Sequence, residues 1–455
     1  MFVVDSMPDL DVWHQVEFEH EFNHEQHRFT SLQEYQDLEQ QLFEELETRV
    51  YARVAATTLP GIHRFHSNSR VDPTHYSENW NRTREFTVAQ PRAGVLLLHG
   101  LSDSPYSLRQ LAQSLHGAQA HVVLLRLPGH GTAPAGLTSV KGEDFKAAVR
   151  LAVRHLRQQV GPDVPLYMVG YSNGAALAVD YALAQLEGEP LPDVAGLVLI
   201  SPAIGVSRLA ILAPWQRRLS YLPGMHKLAW QSIQPEFDPY KYNSFPLNAA
   251  EQVYSLTQDI ALRVGQLQSR NQQAEFPPTL VFSSTVDATV SVPVLLERLM
   301  IPLGSDRHRL VMYDVNQLAN TSFLFAEDTR LAAERLLGSD FPFDLEVLSN
   351  ASTGSNQLVR MVKSAAGEDT KLIPTEMEWP GQLYSLSHVA LPFAPWDPVY
   401  GDVPQVAGKP ESLGNVTLRG ERGILQVPIN QLMRLRYNPF YPYQEAQIKA
   451  FILPN

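Results

Sequence analysis

The 455-residue chain contains no cysteine. Disulfides, thiolate-bound metals and a cysteine nucleophile are therefore excluded together. Nor does any apolar run approach the roughly 18 residues that suggest a membrane span. Met1 to Pro8 lacks the basic start, sustained apolar core and small-residue cleavage site of a secretory signal. A cytoplasmic location without stable membrane insertion is the expectation. Excess positive charge is missing too: Lys and Arg number 36 against 48 Asp and Glu, a formal charge of −12. With no basic stripe in view, this argues against nucleic-acid binding, and it disfavours a strongly anionic substrate unless local basic residues compensate. Repeats and low-complexity tracts are absent as well. What is present, 44% hydrophobic and 18% charged residues, is ordinary for a globular protein with a sizeable core.

Residues 1–29 are acidic and carry His14, His20, His24 and His27. His20, His24 and His27 could share one helical face, a spacing that can bind a metal, but a solvated polar segment is the simpler reading. Ser31-Leu-Gln-Glu34 is a capping-box pattern. Leu32, Tyr35, Leu38, Leu42, Leu46, Val50 and Val54 then recur every three or four residues, predicting one amphipathic helix over 31–55.

From Gly94 the pattern alternates. Short apolar runs at Val95–Leu98, His121–Leu127, Leu166–Val169 and Ala195–Ile200 read as buried strands, separated by helices around Ser107–Leu115, Glu143–Gln159 and after Gly174. This is the signature of βαβ units and a doubly wound, mostly parallel α/β sheet, with the loops after the strands gathered on one edge. Between Ser201 and Pro278 the alternation stops. Trp215, Tyr221, Trp230 and other aromatics accumulate there with prolines, and a helix is expected near Glu251–Leu267. The segment follows a strand and reads as a helical cap. Thr279–Ser283, Arg309–Tyr313, Phe343–Leu348 and Leu383–Leu386 are expected as strands, and Gln444–Phe451 as a last short helix.

The sharpest local pattern is Gly170-Tyr-Ser-Asn-Gly174, a serine on a tight turn between a strand and an Ala/Leu-rich helix. The glycines relieve crowding where strand and helix meet, so Ser172 can project from the sheet edge as a nucleophile. A serine hydroxyl needs a neighbouring base, a group that orients the base, and two amides to hold the oxyanion.

His99-Gly-Leu101, Gly129-His-Gly131, the elbow at 170–174 and Asp287-Ala-Thr-Val290 together resemble the carboxylesterase and monoacylglycerol-lipase (serine aminopeptidase-like) branch of the α/β-hydrolases, over roughly residues 93–315. The resemblance implies Ser172 as nucleophile, Asp287 as acid, and the amides of Leu101 and Asn173 as the oxyanion hole. Asp314, also at a strand end, is the competitor for Asp287; His99 and His130 fit structural loop roles better than that of a base. The sequence departs from the family at the base. Val315 to Asn320 holds no histidine, and the next one downstream, His388, lies 101 positions after Asp287. Ser387-His-Val-Ala-Leu-Pro-Phe393 is similar to the ending of a bacterial subgroup with a long insertion between acid and base, which implies His388. His308 precedes its strand and His226 lies in the cap.

The expected organisation is an N-terminal extension (1–92), a core built from 93–204 and 276–455 with an insertion at about 315–382, and a cap over 205–275. The expected activity is hydrolysis of a small ester with an apolar acyl group through an acyl-enzyme, without metal or organic cofactor. Tyr171, Trp215, Tyr221 and Trp230 are the candidate pocket residues, and transient contact with a lipid surface is compatible with an aromatic cap. Lysophospholipase, thioesterase and small-peptide aminopeptidase activities would use the same triad, the last with Glu236 or Asp238 to hold an amine. A catalytically inactive binding module on the same fold is the alternative from another class.

Overall fold

The computed structural model describes residues 7–54, 63–67, 69–76, 78–205, 220, 224–318, 325–326, 329, 331–352, 354–404, 412–414 and 428–454. Helix α1 (Leu32–Arg49) begins as its sequence dictates: Ser31 Oγ accepts the Glu34 amide, and Glu34 reaches back to the Ser31 amide. The sheet is assembled from β1 (Arg84–Phe86), β2 (Ala93–Leu98), β3 (Ala120–Leu125), β4 (Leu166–Tyr171) and β5 (Gly196–Ile200), then, beyond the small ribbon β6 (Trp230–Ser232) and β7 (Phe245–Pro246), from β8 (Thr279–Ser284), β9 (Arg309–Tyr313), β10 (Asp344–Ser352), β11 (Ser355–Lys363) and β12 (Thr370–Glu378). The spatial order is β1-β3-β2-β4-β5-β8-β9-β10-β11-β12. The seven strands from β3 to β10 in that order run parallel; β1, β11 and β12 pair antiparallel to their neighbours.

Alternating side chains feed two cores. Leu96, Leu98, Leu166 and Met168 face one side, covered by α3 (Gly142–Val160), α4 (Asn173–Leu186) and α5 (Leu247–Ser269). Val95, Leu97, Val169 and Tyr171 face the other, under α2 (Arg109–Gly117) and α6 (Tyr441–Ile452). Helix α5 arises in the segment read as a cap, yet it sends Leu256, Ile260, Val264 and Leu267 into the first core. The chain leaves β2 toward β3 and leaves β4 toward β5, so a crevice opens between the carboxyl ends of β2 and β4. Such reversal points are where open α/β sheets bind ligands.

Two readings of the sequence need correction here. Residues 7–29 are not a solvated segment. Trp13, His14 and Phe22 are buried, because the acidic side chains around them have internal partners. Glu21 and Glu39 both pair with the buried Arg126, at 3.0 and 3.1 Å. The histidines go separate ways: His20 to Glu45, His24 to Asp144, and His27 to the Asn23 amide.

Leu383–Leu386 is extended but joins no sheet. The stretch before it instead forms β11 and β12, which the sequence reading did not anticipate. β11 buries only Leu358, Val359 and Lys363 and β12 buries no residue, so neither carries a regular apolar alternation; β12 is the exposed edge, with Pro374 blunting further pairing. The 344–378 excursion thus widens the sheet, and the chain then returns to where it left. Asn316, just past β9, donates its backbone amide to the Tyr384 carbonyl and its side-chain amide to the Leu383 carbonyl, both at 2.9 Å.

Candidate active site

Ser172 sits at the turn from β4 to α4 with φ 53° and ψ −112°, a conformation non-glycine residues rarely adopt. The surroundings hold it there. Its amide donates to the Ile200 carbonyl at 2.9 Å, and its carbonyl accepts the Ala203 and Ala175 amides at 3.0 and 3.1 Å. The flanking glycines are obligatory by contact: a Cβ on Gly174 would lie 2.1 Å from the Leu98 carbonyl oxygen, and one on Gly170 2.3 Å from the Ala175 nitrogen.

Asp287 follows β8 on a turn closed by its own amide donating to Ser284. One carboxylate oxygen accepts the Thr289 and Val290 amides at 2.8 and 2.9 Å. The other accepts Ser201 Oγ at 3.0 Å and meets His388 Nδ1 at 2.9 Å. Burial pushes the Asp287 pKa up, but the hydrogen bond and charge of His388, with the two amides, outweigh it and hold the carboxyl below its ordinary value. Since the carboxylate can only accept, Nδ1 of His388 carries a proton, which leaves Nε2 as the nitrogen available to act as a base. His388 stands on a single 3-10 turn, His388–Ala390. Its ring packs on Tyr171 at 5.3 Å between centroids, and its carbonyl accepts the Tyr171 hydroxyl at 3.4 Å. The residue before Ser172 therefore touches His388 directly. No hydrogen bond joins Ser172 Oγ to His388 among the described residues; such bonds often tighten only when substrate binds.

The amides of Leu101 and Asn173 donate to no carbonyl among the described residues. Asn173 opens α4, where helix geometry leaves the amide free. The peptide that follows the Leu101 amide is held through the Leu101 carbonyl, which lies 2.7 Å from His130 Nε2, and the peptide that carries the amide through the Gly100 carbonyl, 2.9 Å from His99 Nδ1. His99 donates from Nδ1 to the Gly100 carbonyl and accepts the Leu127 amide on Nε2. Both histidines are buried and support loops.

The rivals lie elsewhere. Asp314 accepts Ser349 Oγ at 2.6 Å, and burial raises its pKa. His308 is buried at the opposite end of β9 beside Phe276, its pKa lowered to about 4 by burial. His226 is in a 3-10 turn of the cap segment. Of the pocket residues expected from sequence, Trp215 and Tyr221 lie outside the described residues. Tyr171 has no exposed surface, and Trp230 is buried edge-on against His14, so neither lines a cavity. Both are large enough to be consumed by packing.

The cavity beside the site is a cleft of about 440 Å³. Ser102 and Val389 line it, each adjacent in sequence to a candidate site residue. Its lining includes the apolar Phe237, Phe245, Val389 and Phe393 and the cationic Lys241, Arg434 and Arg436. Neither Ser201 nor the three cations were singled out from sequence. Ser201 directly follows a strand on the catalytic edge, a signal that could have found it; the arginines sit in an irregular segment that offers none.

The family model described as serine aminopeptidase, S33, matches residues 89–315. A thermostable monoacylglycerol lipase of Bacillus sp. (strain H-257) is 32% identical over 117 residues, 26% of this chain and 43% of that protein. The mouse (Mus musculus) monoglyceride lipase is 30% identical over 130 residues, 27% of this chain and 41% of that one. The chain thus spans less than half the length of these curated relatives. A crystal structure of the Paleococcus ferrophilus monoacylglycerol lipase aligns with a TM-score of 0.38 at 18% identity, covering 50% of this chain and 87% of that one. The strand order, the elbow, the family match and the two sequence relatives agree: the chain is an α/β-hydrolase of the monoacylglycerol-lipase-like branch.

Proposed function

We propose that the protein is a serine hydrolase that cleaves carboxylic esters with an apolar acyl group through Ser172, His388 and Asp287. The observation that carries this reading is the 2.9 Å contact between His388 Nδ1 and Asp287, made beside the Ser172 turn by residues 101 positions apart. A structural turn serine has no need of an oriented imidazole. In the proposed reaction His388 Nε2 takes the Ser172 proton as Oγ attacks the ester carbonyl. The amides of Leu101 and Asn173 receive the oxyanion, at about 3–4 kcal/mol of transition-state stabilisation per donor. His388 then gives its proton to the departing alcohol, leaving the acyl group on Ser172. Water repeats the sequence and releases the acid.

Phe237, Phe245 and Phe393 in the cleft lining support an apolar acyl group. The aminopeptidase reading finds less support. Glu236 has no exposed surface and its carboxylate is held by the Asn243 and Ser244 amides, while Asp238 is taken by Arg436 and Tyr400.

A fluorophosphonate probe should label the native protein and fail on Ser172→Ala. Absence of labelling in the native, folded protein would leave the inactive-module reading standing. A chain-length series of esters, thioesters and amino-acid amides then separates the substrate classes.

A further inference from the structure

We infer that the cleft beside Ser172 holds an anionic group, a phosphate monoester or carboxylate, on the alcohol side of the substrate ester. This deepens the ester-hydrolase reading and rests on it. The protein as a whole is acidic, at −12, yet this cleft has Lys241, Arg434 and Arg436 in its lining. Two of the three cations are matched. Lys241 pairs with the buried Asp103 at 3.2 Å. Arg436 lies 3.5 Å from the buried Asp238 and over the Phe237 ring at 5.8 Å.

Arg434 is different. Its hydrogen-bond partner is neutral: Nη2 donates to Thr289 Oγ1 at 3.1 Å, and no carboxylate pairs with it among the described residues. The nearest acid along this chain of contacts is Asp287, whose side chain has no exposed surface and already accepts from two amides, Ser201 and His388. A guanidinium left with unused donors in a concave site is a recognition group for planar or tetrahedral oxyanions.

Its position follows from the backbone. Ser387 Oγ donates to the Leu435 carbonyl, so the strand of chain bearing Arg434 and Arg436 runs against the residue preceding His388. Thr289, which Arg434 touches, gives its amide to Asp287. Arg434 is therefore tied to the proposed acid and base, and the same cleft is also lined by Phe237, Phe245 and Phe393. One cavity then offers an amphiphilic ester both apolar surface and a cation.

The test compares butyrate monoesters of glycerol and of glycerol 3-phosphate, soluble substrates that differ only in the anion. The expected result is at least a tenfold higher kcat/KM for the phosphate-bearing ester at low salt, with the ratio of the two falling at least tenfold in Arg434→Gln through KM. Arg434→Lys should restore part of the ratio, which separates a charge role from simple bracing of the loop. Equal or better use of the neutral ester, or an unchanged ratio in Arg434→Gln, overturns the inference. Titration of Ser172→Ala with glycerol 3-phosphate keeps the two readings apart. Binding that is lost with Arg434→Gln supports the anion site even where no ester is turned over, a failure that would fall on the hydrolase reading. Inorganic phosphate binding as tightly as glycerol 3-phosphate would mark a free-anion site and overturn the assignment to substrate.

Discussion

Asn316 and Tyr384 are joined by a 2.9 Å backbone hydrogen bond across an excursion that contains β10 to β12. With the Asn316 side chain also donating to Leu383, the chain resumes at the end of β9 as though the excursion were absent. His388 follows four residues after Tyr384, in the loop beyond β9 where a shorter chain would carry it. Asn316 is fully buried and also accepts the Leu318 amide at 3.1 Å. Asn316→Ala should therefore cost about 1–3 kcal/mol for the unpaired buried groups. Ester turnover should fall further than stability predicts, because His388 loses its anchor. Thermal unfolding and kcat, measured on the same preparation at a temperature where the variant is folded, distinguish the two effects.

Asp287 and Asp314 lie at adjacent strand ends, but only Asp287 reaches His388. Asp287→Asn should lower kcat by about four orders of magnitude, since the amide favours the wrong imidazole tautomer. Asp314→Asn should lower it by less than about tenfold. Comparable losses in the two variants would remove the basis for choosing Asp287.

The elbow predicts a stability order. Ser172 occupies φ 53°, which costs a residue with a Cβ about 1 kcal/mol relative to glycine. Ser172→Gly should therefore unfold at a higher temperature than Ser172→Ala, and the preference of the N-cap position for glycine over alanine acts in the same direction. Both variants should be unreactive to a fluorophosphonate, and an Ala variant as stable as the Gly variant would show that the turn is unstrained.

How far the sequence revealed this site depends on how local each signal is. The Ser172 turn, with its strand, glycines and helix, occupies one short stretch, and β2 to β5 announce themselves by apolar runs too short for helices. Asp287, the proposed acid, comes soon after its strand, β8. His388 was reachable only through a resemblance, because its placement depends on Asn316 binding Leu383 and Tyr384, a contact that no periodicity encodes. The same contact explains why Leu383–Leu386 reads as a strand: its composition is right, but its partner is one residue rather than a ladder. Arg434 left no trace in the sequence, since its meaning lies in what it does not pair with.

Glu236 should give the protein an unusual pH profile. Burial raises its pKa to about 7, against the pull of the Asn243 and Ser244 amides. Between its ordinary value of 4.5 and about 7 the folded state keeps a proton that the unfolded state has released. The folded state then binds more protons, so stability falls as pH rises through this window and levels off above it, a loss of up to about 3 kcal/mol from this group. Glu236→Gln cannot ionise. Its melting temperature should be flatter than that of the native protein between pH 4.5 and 7, and parallel profiles would show that Glu236 is charged throughout.

His130 sets the oxyanion loop through a proton it cannot share. Nε2 lies 2.7 Å from the Leu101 carbonyl and Nδ1 lies 2.8 Å from the Pro128 carbonyl. Burial holds the pKa below its ordinary value even though both carbonyls favour the charged ring. A neutral imidazole has one N–H for two acceptors, so the bond to Leu101 competes with the bond to Pro128. When the proton is on Nε2, the Leu101 carbonyl is fixed, and with it the Leu101–Ser102 peptide directly after the proposed oxyanion donor. His130→Ala frees that peptide, and the Leu101 amide moves with it through the shared Cα. A shift of about 1 Å in a catalytic donor is worth up to about a hundredfold in rate. The expected result is a roughly ten- to hundredfold drop in kcat with KM little changed, since the donors act on the oxyanion rather than on the bound ester. A rise in KM at constant kcat would instead assign His130 to the wall of the substrate cleft, and the Leu101 amide would lose its claim to the oxyanion.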